Sequence, residues 1–237
     1  MKAFLLAAGL GTRLRPLTDS TPKCLLPVQG VPVLEIWLRL CHRHGIDEVL
    51  INTHEHGERV RSYLAAHRNG VKPTVVDEPV LMGSAGTVLA NRRWVAGESC
   101  FWIIYADVLT NANLGRMMAF HRGHPGVATL GGYEVPDPER CGIMHLDAEG
   151  RVQRFVEKPK SPVGRLAFSG LLIANAALLE AIPSRLPSDL GFDVLPRLTG
   201  KMFAWPISDY LLDMGTMENY ELAQKTWPGL EGIQAEG

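Results

Sequence analysis

Little in this sequence points to staples, metals or membranes. Four cysteines, Cys24, Cys41, Cys100 and Cys141, are scattered through 237 residues with no CxxC pair. That spacing argues against a disulfide framework or a thiolate zinc site and favours a reducing cytosol. The apolar run before Gly9 is only a few residues long, too short for a signal peptide or a membrane span. A cytoplasmic protein without a membrane partner is expected. Neither sign of charge dominates: 24 Lys and Arg stand against 25 Asp and Glu, a formal net charge of −1. No nucleic-acid partner is implied by such a balance. Internal repeats, low-complexity tracts and long Pro/Gly linkers are also missing. Two nucleotide motifs are incomplete. No Gly-Lys-Ser/Thr follows the first glycines, and after Gly9 and Gly11 the third glycine of a dinucleotide fingerprint is replaced by Leu14.

What remains is an ordinary globular composition, 46% hydrophobic and 21% charged, in a chain long enough to bury a full core. Strand-like and helix-like stretches alternate through the first half. The run at 2–8 ends in glycine, as a buried strand would. After Pro32, Leu34, Trp37, Leu38 and Cys41 recur at helical spacing, with Glu35, Arg39 and Arg43 expected on the polar side. His42 and His44 close this helix, where a histidine faces the negative pole, before Gly45. Strands are expected at 47–52, 72–78 and 100–107, and helices near 57–67 and 84–94. Phe101 and Trp102 are expected in the core. Repeated βα units with apolar strands imply a parallel sheet covered on both faces.

Beyond about residue 125 strands dominate, with a hairpin turn at Ala148-Glu149-Gly150 and helices near 175–182 and 216–226. The expectation is one domain over 1–227, with βα units in the half at 1–124 and mostly strands in the half at 125–227. A frayed tail is expected at 228–237.

In an open parallel sheet, ligands sit at the carboxyl edge of the strands. The first Gly-rich loop, the segment Glu78 to Gly86, and Asp107 all fall just after expected strands, so three segments point to one nucleotide cleft. Residues 1–30 carry Lys2, Arg13, Arg15 and Lys23 against one acid, Asp19. A flexible backbone flanked by cations suits a run of phosphates. His54 and His56 have no third ligand at metal-site spacing and are expected in a surface loop.

The stretch "AAGLGTRLRPLTDSTPKCLLPV" closely resembles the signature of the sugar-1-phosphate nucleotidylyltransferases. Later landmarks of that family follow in order: "GSAGTV" from Gly83, "YADVL" with Asp107, "VEKP" with Glu157 and Lys158, and "LLDMGTMENY" with Asp213. The resemblance spans roughly residues 2 to 222. It implies a Rossmann-like α/β fold with a mostly parallel central sheet, helices on both faces and a small β-rich sugar-binding insertion, the nucleotide-diphospho-sugar transferase fold. It also implies a reaction, in which an NTP and a sugar 1-phosphate give an NDP-sugar and pyrophosphate. Charge neutralisation and positioning are nearly all that such chemistry asks of a protein.

The resemblance also assigns roles, with a nucleotide-binding half at 1–124 and a sugar-phosphate-binding half at 125–227. Ala7, Ala8, Gly9, Gly11, Thr12, Arg13, Glu78 and Gly83 would bind the nucleotide. Arg13 would stabilise the departing pyrophosphate and Lys23 would reach the phosphates near the α-position. Asp107 and Asp213 would hold Mg²⁺. Lys158 would pair with the sugar phosphate and Glu157 with sugar hydroxyls, while Gly142 and a Ser169-Gly170 turn close the pocket. Ala106 stands where the family usually has a glycine before the metal aspartate, a small change unless φ is positive there. Glu78 occupies the position that addresses the nucleobase. A carboxylate accepts two hydrogen bonds side by side, matching the N1–H and amine of guanine better than uracil or thymine.

The expected substrates are therefore GTP and a mannose- or heptose-type sugar 1-phosphate, with UTP-dependent transfer to N-acetylmuramate 1-phosphate or another hexose 1-phosphate as the alternative. Oligomeric state stays open, a homo-oligomer included. A non-catalytic nucleotide-sugar sensor of the same fold would have shed some of Arg13, Lys23, Asp107, Lys158 and Asp213, and all five are present. A nicotinamide oxidoreductase would need an acid ending the second strand, where Asn52 and Thr53 stand instead.

Overall fold

In the computed structural model, which describes residues 1–67 and 70–230, the first apolar run forms strand β1 (Lys2–Leu6). A short hairpin of β2 (Pro27–Val28) and β3 (Val31–Pro32) leads to helix α1 (Val33–Arg43). On α1 the stripe Leu34, Trp37, Leu38 and Cys41 is buried, as its spacing requires. Glu35 departs from expectation. It is only 6% exposed, because the Tyr63 hydroxyl and the Arg39 guanidinium both donate to its carboxylate, at 2.9 and 2.8 Å.

Next come β4 (Glu48–Thr53), α2 (Gly57–Ala66), β5 (Lys72–Asp77), α3 (Gly83–Ala90), β6 (Phe101–Tyr105), β7 (Val108–Thr110) and α4 (Leu114–Arg122). The second half supplies β8 (Ala128–Glu134), β9 (Gly142–Leu146), β10 (Val152–Glu157), β11 (Leu166–Ala174), α5 (Ala176–Ala181), β12 (Met202–Pro206), β13 (Leu211–Asp213) and α6 (Met217–Thr226). The mixed α/β class expected from the sequence is the class observed. Of the expected tail, residues 231–237 lie outside the described residues. Among the described residues no helix is long and apolar enough to cross a membrane.

The chain divides into two compact units. Unit 1 takes Met1–Leu81, Tyr105–Asn113 and the chain from Asp209 onward; unit 2 takes Met82–Ile104 and Leu114–Ser208. In unit 1, β1, β4 and β5 form a parallel ladder with Leu6 beside Asn52 and Asn52 beside Val76. Their carboxyl ends therefore lie along one edge. β7 and β13 pair antiparallel, Val108 opposite Asp213.

In unit 2, β11 pairs antiparallel with β6, β8 and β9, β10 extends β9, and β12 runs parallel to β8. The β9–β10 hairpin closes at the expected turn, where the Asp147 carboxylate accepts from Glu149 N and Arg151 N at 3.1 and 2.8 Å.

Candidate active site

At the carboxyl edge of unit 1, the loop after β1 is held open by its neighbours. Ala7 N donates to Asn52 Oδ1 at 2.7 Å, and Asn52 Nδ2 donates to Glu78 Oε1 at 2.8 Å. One amide side chain thus ties the ends of β1, β4 and β5 together. Gly11 adopts φ +63°, and a Cβ there would stand 2.8 Å from Thr18 Cγ2. The Thr18 hydroxyl donates to Gly11 O at 2.8 Å and fixes the turn. Backbone N–H groups from Ala8 to Thr12 donate to nothing among the described residues. Such a row of unspent donors could serve an anion. The recess beside it is lined by Ala8, Gly9, Thr18, Lys23, His54 and others.

The charged groups come next. Lys23 is buried, and its Nζ donates to Asp107 Oδ2 at 2.7 Å. Asp107 is positioned from three sides. Ala106 N donates to Leu6 O at 3.0 Å, Met214 N donates to Asp107 O at 2.9 Å, and the buried Trp37 indole donates to Val108 O at 2.8 Å. Met214 follows Asp213, so the β7–β13 pairing brings the two aspartates to one place. Part of Asp213 faces solvent, yet crowding by the protein, then the like charge of Asp107, pushes its carboxyl above the ordinary range; Lys23, Gly215 N and Arg13 oppose this. Positive φ among described non-glycine residues is confined to Gln29, His56 and Lys158, so the methyl of Ala106 adds no backbone strain beside Asp107.

Glu78 is not aimed at open space. Its side chain is 1% exposed, and one oxygen already serves Asn52. The bridging Asn52 is the residue that the sequence reading used only as an argument against a dinucleotide site. Its place at the carboxyl end of a parallel strand was the signal available. His54 likewise turns inward, its Nδ1–H donating to Glu78 O at 2.6 Å.

Unit 2 carries the second cluster. Glu157 ends β10 opposite Gly142 of β9, and a Cβ at Gly142 would stand 2.6 Å from Glu157 Oε2. Burial, with Asp189 adding to it and Lys158 opposing, raises the Glu157 carboxyl above its usual range. Lys158 Nζ lies 3.9 Å from Glu157 Oε1. At Gly83 φ is +78°, and Ser188 O fills the space a side chain would need; Ala85 N and Gly86 N donate to the same carbonyl, at 3.0 and 3.1 Å. The expected Ser169-Gly170 turn is instead a bulge inside β11, where the register shifts between Phe168 and Leu172. Gly170 takes φ +82° and Ser169 is 3% exposed, its hydroxyl accepting from Leu171 N at 3.3 Å. β11 advances four residues there while β8 advances two, and a strand can carry such extra residues and continue, which is why no turn forms.

A family model described as nucleotidyl transferase matches residues 2–227. The chain belongs to this family. Among curated relatives, it is 32% identical over 230 residues to a probable mannose-1-phosphate guanylyltransferase 2 of Arabidopsis thaliana, covering 93% of this chain and 63% of the relative. It is 29% identical to the mannose-1-phosphate guanylyltransferase catalytic subunit beta of Xenopus tropicalis, covering 93% and 62%. The chain thus spans somewhat under two thirds of the length of these relatives. Solved nucleotidyl transferase structures share the fold. A putative glucose-1-phosphate thymidylyltransferase from Bacillus anthracis superposes with TM-score 0.84 at 22% identity, covering 100% of this chain and 98% of that one. HddC from Yersinia pseudotuberculosis, complexed with GMP-PN, gives TM-score 0.78 at 22% identity, covering 95% and 99%.

Proposed function

We propose that the protein is a cytoplasmic, divalent-metal-dependent sugar-1-phosphate nucleotidylyltransferase that uses GTP with a mannose- or heptose-type sugar 1-phosphate. The observation that carries this reading is the meeting of Lys23, Asp107, Asp213 and Arg13 at one end of unit 1, beside a loop of unspent N–H donors. The guanylyltransferase relatives support the choice of base and sugar.

On this reading the N–H groups of Ala8 to Thr12 hold the NTP phosphates. Arg13 stabilises the pyrophosphate as its bond to the α-phosphorus breaks, a task suited to a permanently ionised fork. Lys23 transfers its hydrogen bond from Asp107 to a phosphate oxygen. Lys158 and Glu157 of unit 2 hold the sugar 1-phosphate by its charge and its hydroxyls. A phosphate oxygen of that substrate attacks the α-phosphorus in line, and no covalent enzyme intermediate is needed.

Asp107 and Asp213 would suit Mg²⁺: both offer hard oxygen donors, and a cation would relieve their mutual repulsion. Bound there, the ion would neutralise phosphate oxygens. Pyrophosphate release should be measured over a panel of NTPs and sugar 1-phosphates in Mg²⁺. Release should be fastest with GTP and mannose 1-phosphate or a heptose 1-phosphate. Background release with every pair would overturn the reading.

A further inference from the structure

The turn at Leu190–Val194, one of the rare π-helical turns, has no role in anything above. Such turns occur disproportionately at functional sites. Here the turn is pinned from both sides. Asp189 Oδ1 accepts from Gly191 N and Phe192 N at 2.8 and 3.2 Å, and its Oδ2 accepts from Ser84 Oγ at 2.8 Å. Asp193 Oδ2 in turn accepts from Asp189 N at 2.8 Å. A segment held this firmly can present a side chain in a fixed place.

What it presents is Phe192, 57% exposed, and what it abuts is the Glu157 carboxylate. A Cβ on Gly191 would overlap Glu157 Oε2. Glycines on both sides, Gly142 and Gly191, therefore leave that carboxylate room. Glu157 is mostly buried, yet it has no hydrogen-bond donor among the described residues, only the loose 3.9 Å ion pair with Lys158. Lys158 in turn holds a left-handed backbone, φ +47°, unusual for a long side chain. Its ammonium lies 5.6 Å from the centre of the Phe192 ring. An unserved carboxylate, a cation and an exposed aromatic face thus surround one point.

A sugar 1-phosphate offers the complement of all three: hydroxyl donors, a dianion, and a face of C–H groups. We propose that Phe192 is a specificity-determining residue whose ring packs against the C–H face of the sugar, while Lys158 leaves the ring for the phosphate and Glu157 takes the hydroxyls. The assignment rests on the reading of unit 2 as the sugar-phosphate side and adds a wall to it. It makes the length and pinning of the Asp189–Asp193 turn part of sugar selection.

The test is calorimetric binding of mannose 1-phosphate and of glucose 1-phosphate, alongside steady-state kinetics with GTP, for the full chain and for Phe192→Ala and Phe192→Tyr. Phe192 is largely exposed and lies outside the core, so both variants should fold. Losing an aromatic face should weaken sugar-phosphate binding about tenfold. The Michaelis constant for the sugar phosphate should rise with it, that for GTP should stay within about twofold, and Phe192→Tyr should restore both. Unchanged sugar-phosphate affinity in Phe192→Ala, or equal loss for both substrates, overturns the assignment. If the parent binds a sugar 1-phosphate but releases no pyrophosphate, the proposed reaction fails while the binding ratio still decides the role of Phe192. If the parent binds neither sugar phosphate, both fall.

Discussion

A Cβ at Gly215 would stand 2.7 Å from both Arg13 Nη2 and Asp213 Oδ1, so a larger residue would displace these side-chain ends. The glycine lets an exposed arginine lie against the end of β13, where a permanently charged fork can face phosphate. Arg13→Ala should therefore lower turnover about a hundredfold, as removal of one preorganised donor does. Steady-state pyrophosphate release would check this, and a loss under threefold would remove Arg13 from the transition state. Glu78 poses a subtler question, because its carboxylate both supports Asn52 and occupies the position expected to address the base. Glu78→Gln keeps an acceptor for Asn52 Nδ2, so the loop after β1 should hold and any change in base preference should be direct. The ratio of kcat/KM for GTP over UTP should fall at least about tenfold, the cost of a mismatched buried polar pair. An unmoved ratio would assign base reading to the backbone near Ala8 or Gly83.

At the scale of elements, the regular α/β framework was legible because its signals are local. Short strand-like runs, the first ending at Gly9, pointed to the parallel strands, and a stripe of Leu34, Trp37, Leu38 and Cys41 pointed to α1. Features that depend on a distant partner were not legible. Glu35 lies on the polar side of its helix by spacing, and a donor that compensates its burial, Tyr63, stands 28 positions away. β7 and β13 are three residues each and are strands only because they meet. Helix α4 was missed as well, and it carries a polar network that the sequence did not announce. Gly126 N donates to His124 Nδ1 at 3.0 Å, so that nitrogen is bare and His124 Nε2–H donates to Thr129 Oγ1 at 2.7 Å. The Thr129 hydroxyl proton is then placed to go to His121 Nδ1, at 2.9 Å. Both imidazoles are neutral in this arrangement. Burial first, then repulsion from His124 when protonated and from Arg122, lowers His121 to about 4; burial lowers His124 as well. A histidine depressed in the folded state stabilises fully above its unfolded pKa near 6.5, and the contribution is lost as pH falls toward 4. The loss should be on the order of 2 kcal/mol. Melting temperature measured from pH 7 to pH 4 should drop, and His121→Asn, which keeps a partner for Thr129 without titrating, should show a shallower slope. Identical slopes would clear this network of any part in acid sensitivity.

Over the whole molecule, the chain passes between the two compact units four times, at 81/82, 104/105, 113/114 and 208/209. Nothing in the composition marks these crossings, because each falls in a stretch as apolar or as polar as its surroundings. Their consequence for the site is that Asp107 and Asp213 come from separate segments of unit 1 and meet only through the β7–β13 ladder. Pairwise spacing could name both carboxylates from the family resemblance, but not their meeting. Folding thus assembles a repulsive pair, held by Lys23, and a divalent cation is the partner that would relieve it. Removing the ion with EDTA should slow pyrophosphate release about a thousandfold, roughly 4 kcal/mol. Asp107→Asn should match that loss, yet fold normally. The new amide oxygen still accepts from Lys23 Nζ, and the repulsion with Asp213 disappears, so the melting temperature without ligands should stay within about 3 °C of the parent's. Adding Mg²⁺ with GTP should then raise the melting temperature of the parent much more than that of the variant, because only ligands bound to the native state stabilise it. Full turnover in EDTA, or an equal Mg²⁺–GTP shift in both proteins, would show that the two aspartates hold no metal. An unfolded Asp107→Asn would show instead that Asp107 serves Lys23 and the β7–β13 ladder alone.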